Sequence, residues 1–139
     1  MGSLELALRN LHVISNLFWI GSIVAVGVVL AAEGGSEKDR GALAHAIYRK
    51  IAAPAFGLSF LFGVGRLIMS LKYYLVITHF MHLKLTLALG VIAIHHVLGA
   101  RARRAAKGES GATRAAGRLT WILAVLAVAS AWTALAKPF

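Results

Sequence analysis

Eight side chains in this sequence could do chemistry while surrounded by apolar neighbours: His12, Asn16, Trp19, Arg66, His82, Lys84, His95 and His96. A charged group at the centre of a bilayer costs at least about 2.5–3.5 kcal/mol, so such residues usually face a protein interior and mark function. Imidazoles from two facing helices can take both axial positions of a haem iron. The macrocycle is otherwise apolar and suits a bundle core, while its propionates need cations near the interface. His12 with His82 is the expected axial pair, and Arg66 or Lys84 the expected propionate partner. Asn16 and Trp19 follow His12 at i+4 and i+7 and share its face, which lets them contact a ligand's edge; packing is the plainer role for Trp19. Lys84 is also the candidate proton-transfer residue.

The stretch "THFMHLKLTLALGVIAIHHVLGARARR" holds most of this chemistry. At about 100° per residue, His82 and His96 differ by roughly 40° and stand about 21 Å apart along one helix. His95 and His96 therefore form an inner reserve that could serve a second haem, for which His45 is the inner partner on offer. Each residue also has a structural alternative. His12 could donate an interhelical hydrogen bond to a carbonyl, and Arg66 and Lys84 could snorkel to the interface. His95 and His96 could bond water or loop carbonyls, and His45 and His79 could be solvated at the surface.

These side chains need helices that cross a membrane. Of the 139 residues, 59% are apolar, well above the roughly half that is usual for a soluble domain. Hydrophobic runs at about 5–32, 51–71, 79–101 and 117–136 each suit about 30 Å of hydrocarbon. The spacing predicts a single all-α membrane domain over 1–139, an antiparallel four-helix bundle. No positively charged segment precedes the first run, so it is expected to be retained as a span. Pro54 should fall in the first turns of the second span, where it can kink the helix without breaking it. Tyr73, Tyr74, Trp121 and Trp132 are expected at the interfaces. Glycines such as Gly21, Gly27, Gly57 and Gly63 should let helices approach closely.

A net charge of +10 could suggest nucleic acid, but the cations lie between the spans and not on a face with interleaved aromatics. Arg40, Arg49 and Lys50 fall in the first connection, and Arg101, Arg103, Arg104, Lys107, Arg114 and Arg118 in the third. The positive-inside rule then places both connections in the cytoplasm and both termini outside, with the basic loops touching anionic lipid. The third connection is expected to be mobile. The absence of cysteine excludes disulfides and thiolate-held metals.

"LHVISNLFWIGS", "YRKIAAPAFG", "HLKLTLALGVIAIHH" and "KPF" occur in this order along nearly the whole chain, and together they resemble the HemJ family of bacterial membrane proteins, related to CopD-like membrane domains. The resemblance implies a haem b protein that oxidises protoporphyrinogen IX, removing six electrons and six protons and passing the electrons to quinone or the respiratory chain of the bacterial inner membrane. His12 matches the family's first-span histidine, Trp19 its following tryptophan, and His82 with Lys84 its "HxKL" pair. Either His95 or His96 matches a later histidine. After Trp19 the sequence reads "IGSIVAVGVVLAAE", where the family carries a polar segment with arginine and histidine. This departure keeps a non-enzymatic haem electron carrier open, and CopD-like copper handling is a further alternative. Four short spans would bury a haem better in a homodimer.

Overall fold

The computed structural model describes residues 2–136, which are all-α with no strand. Helix α1 runs Ser3–Ala31, and after a short glycine-containing link α2 covers Glu37–Ile47. A wide π-helical turn, Tyr48–Ala52, carries the chain without a break into α3, Ala53–Met69. A second π turn, Tyr73–Ile77, precedes α4, Phe80–Ala106, and α5 closes the described chain at Ala116–Ala136. Four helical rods are long and apolar enough to cross a membrane: Ser3–Ala31, Glu37–Met69, Phe80–Ala106 and Ala116–Ala136. In the second rod, residues 37–50 carry six acidic or basic side chains, so its apolar stretch begins at Ile51.

The sequence explains the shape of that rod. Ser36 caps α2, its hydroxyl accepting from the Asp39 amide. Pro54 has no N–H for the carbonyl of Lys50, and the widened turn just before it absorbs the mismatch, so the helix continues.

Helix α1 is the hub, packing against α2, α3, α4 and α5. Trp19, Ile23, Val26 and Leu30 recur at helical spacing along its buried stripe and join Leu98 and Ala102 of α4 and Leu123 of α5 in one core. Large apolar residues also cover the outside, among them Leu17, Phe18, Leu89 and Val128. This is the inside-and-outside apolar pattern of a bundle solvated by lipid. Trp121 and Trp132 lie on that lipid-facing surface, 75% and 68% exposed, as interfacial anchors require.

Close approach is concentrated at a few glycines. A side chain on Gly27 would collide with Thr120, on Gly41 with the Ala105–Ala106 backbone, on Gly63 with the His12 ring, and on Gly99 with the Tyr48 ring. Gly21 and Gly57, expected to be packing positions as well, have nothing within 4 Å.

One expectation changes. Tyr74 is not an interfacial anchor but is buried, 8% exposed, against Phe80 and Met81. The π turn rotates it inward, where its hydroxyl accepts from Arg66 Nη2 at 2.9 Å; Tyr73 stays exposed. The third connection is built from turns held by hydrogen bonds. Its turns use left-handed backbone at Gly108, Gly111 and Ala115. Arg101 donates to the carbonyls of Ala112 and Arg114, and Glu37 accepts from the Thr113 hydroxyl and the Gly111 amide. The "KPF" sequence lies outside the described residues.

Candidate functional site

His12 sits where α1 meets α3. Its Nδ1–H donates to the carbonyl of Ser59 at 2.8 Å, and the ring lies over Gly63, the one residue type that leaves room for it there. One turn on, Asn16 Nδ2 donates both to His12 Nε2 and to the His12 carbonyl, each at 3.0 Å. The Ser59 hydroxyl donates to Asn16 Oδ1 at 3.0 Å. His12, Asn16 and Ser59 thus form a closed network between two membrane helices, with donors matched to acceptors. The interhelical bond to a carbonyl is present, and it fixes the tautomer: the proton is on Nδ1, and Nε2 presents its lone pair.

Positive charge gathers around this network. The fields of Lys84 on α4 and Arg66 on α3 both reach His12 and each other. Arg66 is half-buried, held over the Tyr74 ring at 5.8 Å, with its buried Nε lacking a partner among the described residues. Of the four residues expected at the haem site, His12, Arg66 and Lys84 bear on one another electrostatically, whereas His82 is tied to the Leu75 carbonyl.

His82 is placed differently. Its Nε2–H donates to the carbonyl of Leu75 at 2.9 Å, capping the π turn before α4, and the ring is exposed. Nδ1 keeps its lone pair. His12 and His82 are each tethered to their own backbone carbonyl, and no direct contact joins the two rings.

The third polar feature lies deeper. Trp19 Nε1 donates to His95 Nδ1 at 3.1 Å, bridging α1 and α4. The His95 ring is fully buried, with ring centroids of Phe56, Tyr48 and His96 at 4.9, 5.0 and 4.9 Å. An indole can only donate, so Nδ1 accepts and the neutral ring carries its proton on Nε2, which has no partner among the described residues. His95 is thus a core residue and not an interfacial one, and Trp19 serves it instead of the edge of the His12 network. His96 is exposed beside Phe56.

Metal-bound histidines usually donate their second ring N–H to a carbonyl or carboxylate, which fixes the tautomer and raises basicity. His12 and His82 both have this arrangement, each with the other nitrogen left as a lone pair. His95 has the opposite arrangement, a protonated Nε2, and does not fit a metal ligand in its neutral form. The ring chemistry of His12 and of His82, each taken singly, is thus compatible with axial ligation of a haem, for which Asn16 would have to release His12 Nε2. Among the described residues, no group of three or more His, Asp or Glu side chains is clustered to hold a bare metal ion.

Ser59, which the sequence does not mark as a site residue, supplies both a carbonyl and a hydroxyl to the network. Its signal was a hydroxyl in an otherwise apolar span. No family model, curated protein or solved structure matches the chain.

Proposed function

We propose that this chain is a haem b-binding membrane oxidoreductase that resembles HemJ protoporphyrinogen IX oxidase in its activity. The observation that carries this reading is His12: its Nδ1–H is bonded to the Ser59 carbonyl, its Nε2 lone pair is covered by Asn16 Nδ2, and the charges of Lys84 and Arg66 bear on it. His12 and His82 would hold the haem, and Arg66 and Lys84 would meet its propionates or the carboxylates of a porphyrinogen. When bound, the haem would supply single-electron acceptance. Lys84 would take or deliver protons beside the substrate, and the lipid-facing apolar helices would exclude bulk water. Electrons would leave to quinone or the respiratory chain. We place the protein in a bacterial inner membrane with both termini outside, and as a homodimer in which a second copy helps cover the macrocycle.

The test is anaerobic turnover of protoporphyrinogen IX by purified, haem-loaded protein with a quinone as acceptor. Consumption that is lost in Lys84→Met while the haem content is kept supports the enzyme. Reversible haem reduction without porphyrinogen consumption would make the chain an electron carrier, and copper without iron on elemental analysis would make it a copper-handling protein.

A further inference from the structure

At the polar end of the bundle, α2 and the last turns of α4 run antiparallel in close contact. Gly41 abuts Ala105 and Ala106, and Tyr48 lies over Gly99. Between these two contacts Ala44 and Ala102 are both fully buried, so they form the middle of the seam. His45 and Arg103, each the next residue along its helix, emerge beside that seam. Arg49 is four residues beyond His45, and Lys107 four beyond Arg103, so each lies on the same edge one turn away. The fields of Arg49, Arg103 and Lys107 accordingly all reach His45. The two chain segments thus bring three cations around one imidazole.

Three of the acids at this end have other partners. Glu109 pairs with Arg104, Glu37 is taken up by Thr113 and Gly111, and Asp39 accepts from the Ser36 hydroxyl. The apolar stretches of the second and third rods end at Ile51 and Ala100, so the patch sits where hydrocarbon gives way to headgroups. Because the helices run antiparallel, Arg49 and Lys107 lie one turn to either side of His45 and Arg103, and an anion between them would lie in the field of two guanidinium groups and one ammonium.

We propose that the α2–α4 seam, with His45, Arg49, Arg103 and Lys107, is a binding site for the phosphate of an anionic phospholipid headgroup. It is independent of the haem site. A basic loop that merely senses surface charge gains about 1 kcal/mol per cation wherever the cation sits. A built site gives unequal weight to these residues.

The test uses the full chain in nanodiscs of phosphatidylcholine alone or doped with phosphatidylglycerol, followed by native mass spectrometry of retained lipid. Both leaflets carry the same lipid, so orientation in the cell does not enter. Wild type should retain phosphatidylglycerol. The triple variant Arg49→Gln, Arg103→Gln, Lys107→Gln should lose it, whereas the charge-matched triple Lys38→Gln, Arg114→Gln, Arg118→Gln should keep it. If the seam triple does not fold, Arg103→Gln alone should cut retention by more than the roughly fivefold, about 1 kcal/mol, of a cation that only senses surface charge, and by more than Arg118→Gln does. No retention by wild type, equal loss in both triples, or no effect of Arg103→Gln would overturn the proposal. Displacement by inorganic phosphate at matched ionic strength would also overturn it, by assigning the site to the free anion.

Discussion

Trp19 on α1 and His95 on α4 are joined by an indole-to-imidazole hydrogen bond of 3.1 Å inside the bundle. The bond decides what the histidine can do. Because Nδ1 accepts from Trp19, the proton sits on a buried Nε2, and His95 offers a donor where a metal ligand would need a lone pair.

Trp19→Phe removes the donor and leaves His95 with two unpaired nitrogens in the core. It should cost about 1–3 kcal/mol, the penalty for leaving a buried polar group unsatisfied. Combined with His95→Phe, the cycle should show a coupling of about 0.5–2 kcal/mol, the range found for interhelical hydrogen bonds in membranes. Reversible unfolding in mixed detergent micelles reads both quantities. Additive effects would mean that the bond contributes nothing to stability.

Close approach at Gly99 gives a sharper contrast. Gly99→Leu must push the Tyr48 ring off α4 and should destabilise the protein by about 1–3 kcal/mol or more, as overpacking does. Gly57→Ala meets nothing within 4 Å and should be neutral or stabilising by up to about 1 kcal/mol, from helix propensity alone. The comparison is made by thermal denaturation in one detergent.

Glu37 gives a pH dependence outside the apolar stretches. The Thr113 hydroxyl, followed by the Gly111 and Thr113 amides and Arg40, holds its carboxyl below the ordinary value of 4.5. A carboxylate with a depressed folded pKa stabilises above its unfolded pKa and loses that contribution as pH falls through the folded value. The clasp on the α4–α5 connection should therefore be intact at neutral pH and open as pH falls below the ordinary carboxylate value through the lower folded one. The protection factor of the Gly111 amide, taken against the intrinsic exchange rate at each pH, should fall over that acid range in wild type. In Glu37→Gln it should be lower already at neutral pH and should not fall further in acid.

Much of the architecture was legible in the sequence, because apolar run length and the flanking cations are coarse signals that survive any detail of packing. The helix-rich chain, the four long apolar helices and the exposed Trp121 and Trp132 follow from such signals. What a single sequence cannot supply is helix rotation. Tyr74 and Tyr73 are adjacent and equally suited to an interface, and only the π turn decides which one faces Arg66. His95 and His96 are likewise adjacent, and the side of α4 that meets Trp19 selects His95. Ser59 was hidden because its contribution is partly a backbone carbonyl, which every residue has.

The haem proposal also predicts the order of loss among ligand variants. His12→Ala and His82→Ala should each alter the absorption spectrum. His95→Phe should leave the haem-to-protein ratio unchanged, since that ring presents no lone pair at Nε2. Loss of haem on His95→Phe, in protein that stays folded by circular dichroism, would reverse the ligand assignment.

The most direct test of the central claim is the absorption spectrum of the purified protein, oxidised and dithionite-reduced, with its haem-to-protein ratio. A Soret band that shifts on reduction, with a stoichiometry that falls in His12→Ala, is the predicted result. No Soret band in folded wild-type protein, even after haem is supplied, would contradict it.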